Sequence, residues 1–158
     1  MLQLVLVNPQ IPPNTGNIAR TCAATRTKLH LVGPLGFEIS DRTVKRAGLD
    51  YWPYVDLKIH DSTEDFIQFR LNQPGRNIGF SVRGNCSLFE FRFQADDWLL
   101  FGSETSGLPG QMIEACAATV YLPMSEPAVR SLNLSVSAAV GLFEAQRQVN
   151  GLSSQNGD

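Results

Sequence analysis

The length, composition and charge of the chain exclude several classes of protein. Its 158 residues are about one domain, 43% of them are hydrophobic, and no apolar run reaches 18 residues, so a core is expected and a membrane span is not. The formal net charge of −2 argues against a protein that binds nucleic acid over its whole surface.

The charge is unevenly distributed along the chain. Residues 1–50 carry six basic and three acidic side chains, a net charge of +3, whereas residues 51–158 carry a net charge of −5. The basic part includes Arg42, Lys45 and Arg46 on one short predicted helix, which can attract phosphate groups locally. The alternative is that these side chains only solvate the outer face of that helix.

The cysteine and histidine residues predict neither a disulfide nor a metal site. The three cysteines lie far apart and form no CxxC pair, which is typical of reduced thiols in the cytoplasm. His30 and His60 have no further ligand at metal-binding spacing, so each is interpreted as the end of a strand. The first residues, MLQLVLV, lack the basic region of a secretory signal, which also favours the cytoplasm.

In chain order, the hydrophobic pattern predicts strands and helices that alternate. The six predicted strands are 2–7, 29–33, 55–60, 77–82, 97–102 and 119–124. The predicted helices are 17–25, 40–48, 62–72, 108–117 and 133–149. This alternation predicts one α/β domain over residues 1–150, with a mostly parallel sheet flanked by helices, followed by a disordered tail over 151–158.

Three loops of unusual composition follow predicted strands, at the edge of a parallel sheet where ligands bind. They span residues 8–17, 102–110 and 124–133, and the second reads GSETSGLPG. They match no Walker loop, dinucleotide fingerprint or nucleophile elbow. Their amide, carboxylate, hydroxyl and guanidinium groups include no obvious nucleophile, which predicts a site that positions reactants and stabilises charge.

Three segments resemble, in order and spacing, the three motifs of the SpoU-type branch of the SPOUT RNA methyltransferases. They are NTGNIAR (14–20), FGSETSGLP (101–109) and LPMSEPAVRSLNLSVSAAVGLFEAQRQ (122–148). The opening VNPQIPPNTGNIARTCAAT and the middle RAGLDYW are similar to the shortest members of that branch. Those members methylate the ribose 2′-hydroxyl of the tRNA wobble nucleotide, a cytidine or uridine at position 34. Another tRNA position or ribosomal RNA is the alternative target, and an RNA-binding or assembly protein with a relic cofactor pocket is the alternative class.

The resemblance implies a fold that the residue pattern alone does not predict. In this family the C-terminal chain threads through a loop to form a deep trefoil knot, and two chains form a homodimer with the active site near the interface. Ala138, Gly141 and Ala145 would then let a partner helix approach; the alternative is that they cover the chain's own sheet. The sequence departs from the family pattern at Val136, where relatives usually carry asparagine.

The resemblance also implies roles for individual residues, with S-adenosylmethionine as the methyl donor, S-adenosylhomocysteine as its product, and no metal. The implied catalytic residues are Arg20, Asn14, Glu104, Ser131 and Asn133. The implied cofactor-binding residues are Phe80, Gly102, Leu122, Met124, Ser131 and Leu132. The implied RNA-facing residues are Arg42, Lys45, Arg46 and Arg83.

Several of these residues also have a purely structural interpretation. Phe80, Leu122 and Met124 fit ordinary packing, and Asn14, Ser131 and Asn133 fit helix N-caps. A guanidinium rarely gives up its proton, so Arg20 is expected to clamp a phosphate and stabilise alkoxide charge. A bidentate pair with Glu104 would orient it.

Overall fold

The computed structural model describes residues 1–39 and 50–153. Over these ranges the strands are β1 (Gln3–Val7), β2 (Lys28–Val32), β3 (Leu57–His60), β4 (Asn77–Phe80), β5 (Cys86–Ser87), β6 (Trp98–Phe101) and β7 (Ala118–Tyr121). The helices are α1 (Pro12–Thr25), α2 (Thr63–Arg70), α3 (Gly110–Glu114) and α4 (Leu134–Ser153), with a 3₁₀ helix at Trp52–Tyr54. The predicted basic helix, with Arg42, Lys45 and Arg46, lies outside the described residues.

The strands form one parallel sheet in the order β3-β2-β1-β6-β4-β7-β5. This confirms the predicted parallel sheet flanked by helices. From β1 the chain builds outward through β2 to β3 and then continues on the other side of β1, where β6 pairs with it. The carboxyl ends of β1 and β6 therefore meet where the strand order reverses, which is the usual ligand position in open parallel sheets.

Helices cover both faces of the sheet because the buried strands carry apolar residues on alternate sides. Leu4 and Leu6 pack with the buried residues of α1 and α4. Val5 and Val7 point the other way and pack with Phe66 of α2 and with residues of α3. The result is three layers, with α1 and α4 on one face and α2 and α3 on the other.

The ends of several elements differ from the predictions. Helix α1 begins at Pro12 rather than at residue 17, since two prolines occupy its first turn, where their missing N–H groups cost nothing. Ser62 caps α2, with its hydroxyl accepting a hydrogen bond from the Asp65 amide. Pro109 precedes α3 as its N-cap, so this helix begins at Gly110 rather than at residue 108. Strand β5 is too short for a hydrophobic pattern to show.

The two histidines and the three cysteines are not part of the three loops. His60 ends β3 as predicted, but His30 lies in the middle of β2, so that prediction was wrong. Their side chains are buried and hydrogen-bonded to each other, 2.9 Å apart. The three cysteines are free, and burial raises the pKa of the Cys22 thiol to about 12, which keeps it protonated.

Helix α4 is longer than predicted. Helix α4 continues to Ser153, past the predicted end at residue 149, so the first part of the predicted tail is helical and only 154–158 lies outside the described residues. Within the described ranges, no helix has both the length and the apolar character to cross a membrane.

The trefoil knot stays a prediction, and the strand order is compatible with it. The segment that joins β4 to β6 passes through β5, which pairs with the far side of β7. After β7 the chain returns to α4, whose Gln148 side chain accepts a hydrogen bond from the Phe93 amide and donates one to the Phe91 carbonyl.

Candidate functional site

A cavity of about 910 Å³ opens at the carboxyl ends of β1, β4, β6 and β7. Its walls come from the start of α1 and from the loops after β4, β6 and β7. Ten of its lining residues were predicted to form the site: Asn14, Phe80, Arg83, Gly102, Glu104, Leu122, Met124, Ser131, Leu132 and Asn133. Arg20, another predicted residue, is not part of the lining.

Three separate segments, the first turn of α1 and the loops after β6 and β7, are joined by one chain of hydrogen bonds at this cavity. The Asn14 amide nitrogen donates to Glu104 Oε1 at 3.3 Å, and the Asn133 amide nitrogen donates to Asn14 Oδ1 at 3.0 Å. Asn14 is 6% exposed, so both of its bonds are largely shielded from water. We call these three linked side chains the Glu104–Asn14–Asn133 relay. The relay fixes the positions of the first, second and third motifs relative to one another.

The Glu104 carboxylate is held by backbone as well as by this relay. Its two oxygens accept hydrogen bonds from the amides of Gln10 and Ile11, at 2.9 and 3.0 Å. Burial raises the pKa of Glu104, but the hydrogen bonds from Gln10, Ile11 and Asn14 outweigh burial and leave the pKa lowered. Glu104 is thus a stable anion that organises the loops and is poorly suited to accept a proton.

The expected pair between Glu104 and Arg20 is not formed, and that prediction was wrong. The carboxylate oxygens are occupied by the groups just named. Arg20 is exposed on α1, and its guanidinium carbon lies 5.3 Å from the centroid of the Tyr51 ring. The start of α1 at Pro12 explains the separation, because it places Arg20 two turns further along a continuous helix rather than in a loop.

The helix-cap interpretation fits one asparagine and not the other. Asn14 lies inside the first turn of α1, whose N-cap is Ile11. Asn133 precedes α4 and its Oδ1 accepts a hydrogen bond from the Ser135 amide at 2.8 Å, as an N-cap does. Since its amide nitrogen still reaches Asn14, Asn133 combines a capping role with a role in the relay.

The glycines of the second motif are required by the loop itself. A Cβ at residue 102 would overlap the carbonyl carbon of Gly107, and Gly107 has a φ of +68°, which favours glycine. Ser103 and Gly107 exchange backbone hydrogen bonds, and the Ser103 and Ser106 hydroxyls lie 2.7 Å apart. The loop closes tightly on itself, so its wall of the cavity is formed before any ligand binds.

The lining fits S-adenosylmethionine, which has an aromatic adenine with apolar faces and a hydrogen-bonding edge, and a charged tail. Apolar side chains of Phe80, Leu122 and Leu132 form part of the wall. Phe80 is also core, stacked on Phe101 with ring centroids 4.4 Å apart, so its two interpretations coexist. In the described part of the chain, the backbone groups of Leu122, Met124 and Leu132 make no hydrogen bonds, which leaves them available to a bound base.

Some parts of this site could not be predicted from the types of residue in the sequence. The amides of Gln10 and Ile11 hold Glu104, yet backbone groups carry no motif that sequence reasoning can detect. Ser137, in the first turn of α4, lines the cavity and was also missed. Across the described residues no group of three or more His, Cys, Asp and Glu side chains is arranged to hold a metal ion.

The small residues of α4 face the chain's own sheet and not a partner. Ala138 and Ala145 are buried. A Cβ at Gly141 would lie 2.6 Å from the Phe80 ring, so glycine is what lets the helix lie on the sheet. The opposite face of α4 exposes Val136, Val140 and Phe143, a group that we call the outer apolar face.

The fold and the three joined motifs agree with the comparison to protein families. The model of the SpoU rRNA Methylase family matches residues 1–143, and the chain belongs to this family.

Similar proteins share both the sequence and the fold. A relative from Synechocystis sp., provisionally named tRNA (cytidine(34)-2'-O)-methyltransferase, is 60% identical over 152 residues, which are 96% of this chain and 99% of the relative. A solved structure that describes the 2-OH methylation of C/U34 on tRNA is 51% identical, with a TM-score of 0.89, over 96% of this chain and 97% of that one. The SpoU methyltransferase AviRb from Streptomyces viridochromogenes, solved with its cofactor AdoMet, is 27% identical with a TM-score of 0.83, over 94% of this chain and 57% of that one.

Proposed function

We propose that this protein transfers a methyl group from S-adenosylmethionine to the ribose 2′-oxygen of nucleotide 34, a cytidine or uridine, in tRNA. The observation that carries the proposal is the Glu104–Asn14–Asn133 relay, which joins the three family motifs at one cavity. The named activities of the Synechocystis relative and of the C/U34 structure supply the target.

The residues of the cavity divide into a cofactor part and a substrate part. Gly102, Leu122, Met124 and Leu132, with Phe80 and Ser131, are the groups that would hold S-adenosylmethionine. When bound, the cofactor supplies a methyl group already activated by its sulfonium charge. The chain itself needs to exclude water, orient the ribose hydroxyl and stabilise the negative charge that develops on its oxygen.

Arg20 and the relay carry the substrate part of this proposal. The guanidinium of Arg20 clamps an RNA phosphate and stabilises charge on the 2′-oxygen, since guanidinium groups bind phosphate oxygens well and stay protonated. Asn14 and Asn133 hold the loops in register, and Glu104 anchors them to the segment after β1. Arg83 lies at the cavity, where it would bind an RNA phosphate. Arg42, Lys45 and Arg46, which lie outside the described residues, are proposed to contact RNA on the grounds of their charge alone.

A homodimer is part of the proposal, with the outer apolar face of α4 as its interface. Val136, Val140 and Phe143 are 47%, 42% and 56% exposed and follow one another at helical spacing. Met124 and Leu132, which line the cavity, are exposed in the segment just before α4. A partner helix on this face would cover apolar surface and the rim of the cavity together.

Free cysteines and a tRNA substrate support a cytoplasmic location.

The central experiment is methyl transfer in vitro. Purified protein is incubated with labelled S-adenosylmethionine and unmodified total tRNA, and the modified nucleotide is mapped. We expect label on the ribose of nucleotide 34, and its loss in Arg20→Ala with cofactor affinity retained. Label at another tRNA position or in ribosomal RNA would contradict the target, and tight cofactor binding without any RNA methylation would contradict the enzymatic proposal.

The dimer has its own test by sedimentation. Phe143→Glu is expected to convert a dimer to a monomer, because it buries a charge in the proposed interface. Leu71→Glu is the matched control, since Leu71 is an exposed leucine outside this face. A monomeric wild-type protein, or a Phe143→Glu dimer of unchanged stability, would contradict the interface.

A further inference from the structure

The guanidinium that is proposed to act on RNA is supported by an aromatic ring. Arg20 Cζ lies 5.3 Å from the centroid of the Tyr51 ring. In residues 1–39 and 50–153, none of the ion pairs includes Arg20. Among the described residues, therefore, no carboxylate neutralises its charge, and the Tyr51 ring is a group that it contacts.

The Tyr51 ring is itself fixed in place. Its hydroxyl donates to the carbonyl of Gly16 at 2.7 Å, and its ring packs against the core that α1 and the sheet share. Burial raises the pKa of the Tyr51 hydroxyl, with the nearby charge of Arg20 acting in the opposite direction, so the group remains a donor. Gly16 and Arg20 lie one turn apart on α1, so the anchored end of the ring and the guanidinium share one side of the helix.

An aromatic ring and a carboxylate support an arginine in different ways. A carboxylate takes the N–H donors of the guanidinium and cancels its charge. A ring contacts the flat face of the guanidinium and leaves the N–H donors at its edge available. A residue that must bind phosphate and stabilise an alkoxide keeps both its charge and its donors only in the second arrangement.

We propose that Tyr51 is a positioning residue that holds the Arg20 guanidinium by its face and directs its free N–H groups toward the RNA. The inference rests on the proposed function, because it concerns the residue through which that function would act. Tyr51 touches neither the cofactor nor the reacting oxygen in this proposal; it acts through Arg20.

The test measures turnover and cofactor affinity separately. Tyr51→Leu removes the ring face and is expected to lower kcat about tenfold, as a misplaced reacting group does, with the Kd of S-adenosylmethionine unchanged. Tyr51→Phe keeps the ring and loses the hydroxyl that bonds to Gly16, so a smaller loss, about threefold, is expected. Tyr54→Leu is the matched control, since Tyr54 is 76% exposed on the same 3₁₀ helix and is expected to keep wild-type kcat.

A second arm separates positioning from a general structural role. In an Arg20→Lys background the planar face is absent, so adding Tyr51→Leu is expected to lower kcat by less than about twofold. An equal loss in both backgrounds, or a matching loss of cofactor affinity, would overturn the inference. If Tyr51→Leu does not fold, Tyr51→Met removes the ring at similar volume and the same criteria apply.

The two proposals fail in different ways. An inactive wild-type protein, or an Arg20→Ala variant with full activity, would overturn the proposed function or its use of Arg20. An inactive Arg20→Ala variant together with wild-type kcat in Tyr51→Leu would overturn the role of Tyr51 and leave the proposed function intact.

Discussion

The two halves of the sheet differ in whether their polar groups are enclosed in the core or border an open cavity. On the half formed by β1, β2 and β3, His30 bonds to His60 at 2.9 Å and to Gln3 at 3.1 Å, and the rings of Phe66 and Trp98 surround it. We call this group the histidine cluster. Toward the half formed by β6, β4 and β7, where the loops after these strands meet the start of α1, the Glu104–Asn14–Asn133 relay borders an open cavity.

The difference lies in which polar groups remain available. In the histidine cluster each ring nitrogen of His30 already has a partner, so the cluster stabilises the core and offers nothing to a ligand. Around the relay, the backbone groups of Leu122 and Met124 make no hydrogen bonds within the described part of the chain. Further along α1, the Arg20 guanidinium forms no ion pair with any described residue. A buried polar group is therefore a weak indication of function unless it adjoins groups whose partners are missing.

The largest expected effect comes from displacing the loop that forms one wall of the cavity. Gly102→Ala places a methyl group onto the Gly107 backbone, so the loop after β6 must open and its wall of the cavity moves. We expect the affinity for S-adenosylmethionine to fall by about a hundredfold or more, measured by calorimetry. Gly110→Ala is the control, because nothing lies within 4 Å of its added Cβ. Equal cofactor affinity in the two variants would show that the loop does not define the pocket.

An intermediate effect is expected from the relay. Glu104→Gln replaces one acceptor oxygen with an NH₂ group that faces the amide of Gln10 or Ile11, so one hydrogen bond becomes a repulsive contact. Since hydrogen bonds to a charged group contribute about 1.5–3 kcal/mol, we expect kcat to fall about tenfold to a hundredfold. Glu90→Gln, at an exposed position, is expected to leave kcat unchanged. If both variants keep full activity, the relay does not contribute to catalysis. The proposed functional difference between the two halves of the sheet would then be wrong.

Changes in the histidine cluster are expected to have the smallest effect on activity. They are expected to alter the pH dependence of stability instead. Burial, followed by the charges of His60 and the nearby lysines and Arg70, lowers the pKa of His30 from 6.5 to about 3, and burial also lowers the pKa of His60. The folded state thus keeps His30 neutral where the unfolded state binds a proton, so stability is full above pH 6.5 and is lost as the pH falls toward about 3.

Urea unfolding measures this loss. From about pH 7.5 to about pH 5, His30 is expected to remove about 2 kcal/mol from the free energy of unfolding. A His30→Gln, His60→Gln double variant is the control and should lack that part of the pH dependence, while its kcat at neutral pH matches the wild type. A wild-type protein with the same pH dependence as the double variant would show that the cluster is not held neutral.

The sequence by itself determined the class of fold and grouped most of the predicted site residues, although it misplaced Arg20 and missed Ser137. The alternation of buried strands with amphipathic helices predicted the parallel sheet, because a strand buried on both faces reads as a short apolar run. The position of polar, glycine-rich loops after those strands predicted where the cavity lies. The motif residues Asn14, Glu104 and Asn133, far apart in the chain, were correctly grouped.

Only the tertiary structure decided how those residues are connected. The partners of Glu104 are backbone amides, which have no signature in a sequence, and the prolines that read as a loop proved to be the first turn of α1. The sequence also did not show which surface the small residues of α4 contact. Ala138, Gly141 and Ala145 allow close packing against the chain's own sheet or against a partner helix. The Phe80 ring lies beneath Gly141, so the small face packs on the sheet and the outer apolar face stays exposed. Hydrogen-bond partners and packing surfaces come from distant parts of the chain, and residue spacing carries no information about which of them will meet.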